Sequence, residues 1–208
     1  PQGVAAPVSI AKDIDTLRTR FWLATSVNRD PNNYVYYGDR HGHFFGLWRF
    51  SDQEAEIRLR TDDGPRNLYQ FAGIKGTLQA PRREERIFEP RERPWYKAGQ
   101  TSQLHTWTSI YIDFKTFELV GTRARRVNNA DGGFEGVVAT DLSLRHLNDF
   151  VQKLRMSPNG FAFIVEPDGN LIASSRGPHL REGTDGKKAR LNAADSADPL
   201  IRATYATV

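Results

Sequence analysis

Apolar residues recur at helical spacing through residues 8–27, at Ile10, Ile14, Leu17, Phe21 and Ala24, and predict a helix. The segment from Asn28 to Asn33, with Pro31 inside it, ends that helix. Two aromatic-rich segments follow, Tyr34–Gly38 and His43–Phe50. Asp39-Arg40-His41-Gly42 supplies the turn chemistry between them, so they read as a β-hairpin. Ala55–Arg60 and Asn67–Gly73 predict two further strands around the turn Asp62-Asp63-Gly64-Pro65. The charged, proline-bounded stretch from Pro81 to Pro94 reads as a loop, and Pro94 opens a short helix through about Thr101. Trp107–Phe114 alternates as one strand, with Trp107, Ser109, Tyr111 and Asp113 on one face. Glu118–Val127 and Phe134–Thr140 predict two more strands around the turn at 128–133, and the three together argue for an antiparallel sheet.

The second clear helix is Ser143–Arg155. Its apolar stripe is Leu144, Leu147, Val151 and Leu154, widened by Phe150. Ser157-Pro158-Asn159-Gly160 ends it. A second hairpin follows, Phe161–Glu166 and Leu171–Ser175 around Pro167-Asp168-Gly169-Asn170. Residues 176–196 read as loop, and Pro199–Tyr205 starts a helix. Two strands alone make a marginal sheet, so this second lobe reads as incomplete. The two hairpins, each following a helix, resemble one another and predict two related α+β lobes. The chain opens inside the first helical pattern, as expected of a segment from a longer protein.

Composition narrows the class. Of 208 residues, 38% are hydrophobic and 11% aromatic, enough for a packed interior. No run approaches the ~20 apolar residues that cross a bilayer. Residues 1–11 have no basic region ahead of an apolar core, so they do not read as a signal peptide. The absence of cysteine excludes disulfides, thiolate metal sites and thiol catalysis. The net charge of +4 is mild. The arginine clusters at 82–83 and 91/93 are interleaved with Glu84, Glu85, Glu89 and Glu92. No clean phosphate-binding stripe appears, which argues against a nucleic-acid partner.

At Arg93-Pro94-Trp95-Tyr96-Lys97-Ala98, and again at Gly136-Val137-Val138-Ala139-Thr140-Asp141-Leu142 running into an amphipathic helix, the chain resembles a known family. So do the hairpin residues 36–44 and the segment Gly160–Gly169. Their order and spacing resemble the double Cache sensor domains of bacterial chemoreceptors, histidine kinases and diguanylate cyclases. The resemblance implies an α+β fold: a long N-terminal helix (1–27), a membrane-distal lobe that holds the ligand (28–142), and a connecting helix with a membrane-proximal lobe (143–208). Each lobe is a PAS-like antiparallel sheet flanked by helices. It also implies a periplasmic, non-enzymatic, cofactor-free domain of an inner-membrane signal-transduction receptor. Membrane segments would flank the chain, and the full receptor would form a homodimer.

One subclass of that family binds α-amino acids through Tyr, Arg, Trp, Tyr, Tyr and Asp. Arg93, Trp95 and Tyr96 match its central run, Tyr111 stands where the next tyrosine is expected, and Asp141 where the aspartate belongs. Phe88 departs from the pattern, because that subclass has tyrosine there; Trp107 lies on the same predicted face as Tyr111. The chemistry agrees with these roles. A carboxylate calls for a planar two-pronged donor such as Arg93. An ammonium calls for an acid with aromatic faces, such as Asp141 among tyrosine and tryptophan. An amino acid or an amine is therefore the expected ligand.

Other readings of the same residues stay open. Arg93 pairs with Glu89 or Glu92, Trp95 and Tyr96 serve the core, or Asp141 caps the helix 143–155. On those terms the chain is a ligandless scaffold for dimerisation or partner binding. A metal-binding or hydrolytic module using His41, His43 and Asp39 is the third alternative, although its histidines flank a turn glycine. Asp62-Asp63 lacks the closing glutamate of a calcium loop.

Overall fold

The computed structural model describes residues 10, 13–27, 33–154, 157, 160–183 and 186–207. The chain divides into two compact units, Pro1–Ser109 with Thr122–Leu142, and Ile110–Gly121 with Ser143–Val208. Among the described residues no helix is long and apolar enough to cross a membrane.

The first unit is built on an antiparallel sheet. Its strands are β1 (Asn33–Asp39), β2 (Phe44–Arg49), β3 (Glu54–Arg60), β4 (Asn67–Ala72), β5 (Arg82–Arg83), β6 (His105–Trp107), β8 (Leu119–Asn128) and β9 (Phe134–Ser143), in the spatial order β5-β4-β3-β2-β1-β9-β8-β6. The strand β7 (Tyr111–Ile112) pairs with Leu119 and Val120, the start of β8, which falls with it in the second unit. The α+β architecture, with helices flanking an antiparallel sheet, agrees with the PAS-like expectation.

One face of the sheet is apolar. Cross-strand pairs Val35–Leu47, Tyr37–Phe45, Phe45–Leu59 and Leu47–Ile57 line it. The helix α1 (Ile14–Val27) covers it with Leu17, Phe21 and Trp22. Phe21 meets Phe45 edge-on at 5.5 Å, and Trp22 meets Phe71 at 5.7 Å. Each such side chain contributes roughly 1.5–3 kcal/mol on burial. Residues 8, 9, 11 and 12 of the expected helix lie outside the described residues.

The opposite face is also buried, although many of its side chains are polar or aromatic. The helix α2 (Pro94–Thr101) and the segment 81–93 cover it. The approach is close because glycines line it. A Cβ at Gly38 would lie 2.9 Å from Trp95 Cη2, and one at Gly99 would collide with Val137 Cγ1 and lie 3.3 Å from Ala124 Cβ.

The second unit holds α3 (Arg145–Lys153), the hairpin β10 (Phe163–Val165)–β11 (Leu171–Ser174), the hairpin β12 (Leu180–Glu182)–β13 (Lys188–Arg190), and α4 (Pro199–Tyr205). Leu171, Leu191, Ala193 and Ile201 form its core, with Phe161, Phe163, Val165 and Tyr205 against them. Arg190 holds Glu166 at 2.8 Å and donates to the Ile110 carbonyl at 2.6 Å.

Several expected elements differ. Trp107–Phe114 is not one strand. It breaks at 108–110, where the Thr108 backbone N–H turns to the Thr122 carbonyl and the Thr108 hydroxyl accepts from the Thr122 N–H, so β6 and β7 meet β8 separately. The segment 81–94 contains the edge strand β5 and a 3-10 turn at Pro90–Glu92. The segment 176–196 contains the β12–β13 hairpin, whose alternation is too short and too polar to stand out in sequence. The second helix is shorter than expected; Arg155 lies outside the described residues. Phe150 is 61% exposed and does not widen the stripe, while Asn148 is buried and accepts from the Ser174 N–H at 3.3 Å.

These contacts predict the sign of one substitution. Gly99→Ala would gain about 1 kcal/mol of helix propensity, but overpacking against Val137 costs about 1–3 kcal/mol. The variant should be net destabilised in urea denaturation, by contrast with the gain expected of an unhindered helical glycine.

Candidate functional site

The buried polar face of the first unit follows from strand register. Reading across β3, β2 and β1, one row runs Arg58, Gly46, Tyr36, continued on β9 by Ala139. The next runs Arg60, Phe44, Gly38, continued by Val137. A third begins Glu56, Trp48, Tyr34. Because side chains alternate, β3 sends Ala55, Ile57 and Leu59 to the apolar face and Glu56, Arg58 and Arg60 to this one. All three charged residues are buried. Glu56 takes the Arg58 Nε at 2.9 Å, and Arg60 reaches Glu89 at 3.1 Å. Arg66 meets Glu84 with two nitrogens at 2.8 and 2.9 Å. Buried charge without such partners would cost several kcal/mol.

An aromatic wall stands among these pairs. Tyr36 meets Trp95 edge-on at 4.8 Å and lies 4.7 Å from Tyr34 and 5.8 Å from Phe44. Phe44 meets Phe88 at 4.9 Å. Trp95 is 2% exposed and packs edge-on to Tyr96 at 5.5 Å. The Tyr96 hydroxyl donates to the Asp39 carbonyl at 3.0 Å, so the helix α2 is tied to the end of β1.

Asp141 lies within β9, and one of its carboxylate oxygens, Oδ1, accepts from the Tyr36 hydroxyl and the Thr122 hydroxyl, each at 2.6 Å. It does not cap the following helix: the residue at that position is Leu144, with no side-chain cap. The two hydroxyls orient the carboxylate beside Tyr36, and Tyr36 is the ring that touches Trp95. Hydrogen bonds this short to a charged acceptor are the stronger kind.

Arg93 immediately precedes α2, with its guanidinium 5.9 Å from the Phe88 ring centroid. Glu89 is engaged by the Arg91 side chain at 2.7 and 3.0 Å and by Arg60. Phe88 is buried and carries the Arg66 guanidinium 3.7 Å from its ring centroid. A phenyl ring there serves cation stacking. Phe88, Arg93, Trp95, Tyr96 and Asp141 thus share the polar face of one sheet. Tyr111, half-buried on β7, belongs to the second unit, and Trp107 is 55% exposed on β6 opposite Arg123.

Sequence reasoning missed Tyr34, Thr122, Glu56, Arg58 and Arg66. The signal was present in β3: a strand reading Glu-Ala-Glu-Ile-Arg-Leu-Arg has one polar face, and only burial of both faces marks that polar side as enclosed. The rival metal constellation takes another form. Asp39 accepts from the backbone N–H groups of His41 and His43, each at 2.9 Å, and faces His43 Nδ1 at 2.7 Å. It organises the hairpin turn. Among the described residues no three histidine, aspartate or glutamate side chains converge as metal ligands.

No family model matches the chain. Over 96 residues it is 32% identical to the methyl-accepting chemotaxis protein McpC of Bacillus subtilis, covering 45% of this chain and 14% of that receptor. Over 85 residues it is 35% identical to the methyl-accepting chemotaxis protein PctB of Pseudomonas aeruginosa, covering 41% of this chain and 13% of the receptor. Among solved structures, the ligand-binding domain of the Pseudomonas fluorescens chemoreceptor CtaA, in complex with L-serine, aligns with a TM-score of 0.41 and 25% identity, over 78% of this chain and 66% of that one. The sequence resemblance is therefore to bacterial chemoreceptors, in agreement with a Cache-type sensor domain. The chain spans a small part of the length of the curated receptors it matches.

Burial, then the Asp39 carboxylate, pushes the Tyr96 hydroxyl up to about 12. The folded state therefore holds this proton more tightly than the unfolded chain, whose tyrosines titrate near ~10. The stabilisation is complete below that pH and is lost as pH rises towards the folded value. Tyr96→Phe should cost about 0.5–1.5 kcal/mol at neutral pH and reduce the loss of stability in the alkaline limb, measured by urea unfolding at stepped pH.

Proposed function

We propose that the chain is the extracytoplasmic ligand-sensing domain of a bacterial chemoreceptor, a binding module and not an enzyme, and that its first unit binds an amino acid or amine. The observation that carries this reading is Asp141, a carboxylate fixed by the Tyr36 and Thr122 hydroxyls beside an aromatic wall. Such an arrangement suits an ammonium group: an acid for its charge, and ring faces for its cation–π attraction. Arg93, preceding the helix that carries Trp95 and Tyr96, supplies the planar donor that a ligand carboxylate needs. A charge-assisted hydrogen bond of this kind contributes on the order of 1.5–3 kcal/mol.

The sequence matches to methyl-accepting chemotaxis proteins support the receptor context. In the full receptor, membrane segments outside this chain anchor the domain, which pairs as a homodimer. Ligand binding signals only if bound and free states differ in their contacts. The helix α2 is suited to transmit that difference, since its Trp95 touches Tyr36, the ring hydrogen-bonded to Asp141, and its Tyr96 ties back to β1.

A thermal-shift screen against amino acids, biogenic amines and organic acids, with Arg93→Ala and Asp141→Ala beside the native chain, tests the reading. A stabilisation of several degrees by an amino acid, absent in both variants, is expected. Loss only in Asp141→Ala would identify an amine ligand. No response to any compound from a folded protein would replace the sensor reading with a ligandless scaffold.

A further inference from the structure

The polar face of the first unit holds a second recognition element, apart from Arg93 and Asp141. Tyr34 and Arg58 lie on either side of Gly46: Tyr36 pairs with Gly46 across β1 and β2, Gly46 with Arg58 across β2 and β3, and Tyr34 precedes Tyr36 on the same face. The Tyr34 side chain leans over the glycine. A Cβ at Gly46 would sit 2.6 Å from the Tyr34 hydroxyl and 2.9 Å from Phe44 Cε1, so only glycine leaves room for it.

Tyr34 is 9% exposed, and its hydroxyl is fully enclosed, with the Arg58 guanidinium beside it and no acceptor for its own proton among the described residues. A buried O–H without an acceptor costs about 1–3 kcal/mol until one reaches it. Burial pushes its pKa up, against the pull of Arg58 and Arg66, so the group stays protonated and offers an O–H donor. Arg58 lies beside it, 5% exposed, with its guanidinium carbon 4.7 Å from the Tyr34 ring centroid and 4.8 Å from that of Trp48. Glu56 engages the Arg58 Nε, and the guanidinium ends in two terminal nitrogens that are donors only. A neutral hydroxyl donor and a guanidinium fork therefore stand together beside Tyr36, the ring that holds Asp141.

From this juxtaposition we infer that Tyr34 and Arg58 read the far end of the ligand, by donating to an sp² oxygen on its side chain. The ligand is then an amino acid ending in a carboxamide or carboxylate, in preference to an aliphatic one. This rests on the amino-acid reading above and adds to it the side-chain class. An aliphatic end would seal the Tyr34 O–H away without an acceptor, and sites built to pair a polar group discriminate strongly against analogues that lack it. The Glu56–Arg58 pair is close to neutral as a unit, so a carboxamide and a carboxylate share the same two donors.

Isothermal titration of the chain with L-asparagine, L-glutamine, L-glutamate and L-leucine tests this, leucine being nearly isosteric with asparagine. At least one oxygen-bearing ligand is expected to bind about tenfold or more tightly than leucine. Tyr34→Phe should erase that preference by weakening the oxygen-bearing ligand about tenfold, with leucine unchanged. Its melting temperature without ligand should stay close to that of the native chain, because the buried O–H it removes has no acceptor. Arg58→Lys keeps a charge for Glu56 and removes the fork, and should also lower the preference. Equal binding of leucine and asparagine, unmoved by Tyr34→Phe, overturns the inference while the sensor reading stands. Absence of binding by every amino acid and amine overturns both.

Discussion

Glu56 and Arg58 stand two residues apart on β3, both buried, with their side chains joined at 2.9 Å. Much else in the first unit depends on this kind of pairing. The sheet is covered on both faces, so the polar face cannot leave its charges to water and must supply each with an enclosed partner. The segment 81–93 does this for the neighbouring arginines, bringing Glu84 to Arg66 and Glu89 to Arg60. It folds over the sheet because the arginines beneath it need its carboxylates. Removing one member of such a pair typically costs ~3–5 kcal/mol, since the other charge stays buried. The layer is held by these pairs together with the burial of Phe44, Phe88, Trp95 and Tyr96.

The same constraint makes the face suitable for recognition. Side chains already fixed by partners present their remaining donors and acceptors in set directions. Asp141 is aimed by two hydroxyls, Arg66 by Glu84, Arg58 by Glu56. Glycines at 38, 46 and 99 let α2 and the aromatic rings approach the sheet closely. On the apolar face under α1, two arginines lie at the margin, Arg18 over the Phe71 ring and Arg49 over the Trp22 ring. That face contributes stability through ordinary burial of Phe21, Phe45, Leu47 and Ile57.

Much of this is legible in the sequence. The hairpins at β1–β2, β3–β4 and β10–β11, the helix opened by Pro94, and α4 all follow from alternation, turn residues and capping, which are local signals. The Arg93-Pro94-Trp95-Tyr96 run marked the helix that covers the polar face. The illegible parts share one cause. The strand breaks at 108–110 because Thr122 engages Thr108, a partner fourteen residues away. The edge strand β5 is two arginines long and has no pattern of its own. Asp141 reads as a helix cap from its neighbours, yet Tyr36, 105 residues earlier, gives it another task.

The sequence by itself determined the class of the domain, an α+β chain without cysteine chemistry, and the local identity of most strands and turns, because those depend on side-chain periodicity and backbone preference. Tertiary structure alone decided that the polar edge of β3 is enclosed, that the glutamates of a charged segment serve as counter-ions, and that Tyr34 and Arg58 meet above Gly46. Charge pairing and enclosure depend on which strands lie side by side, and alternation along one strand carries no record of what covers it.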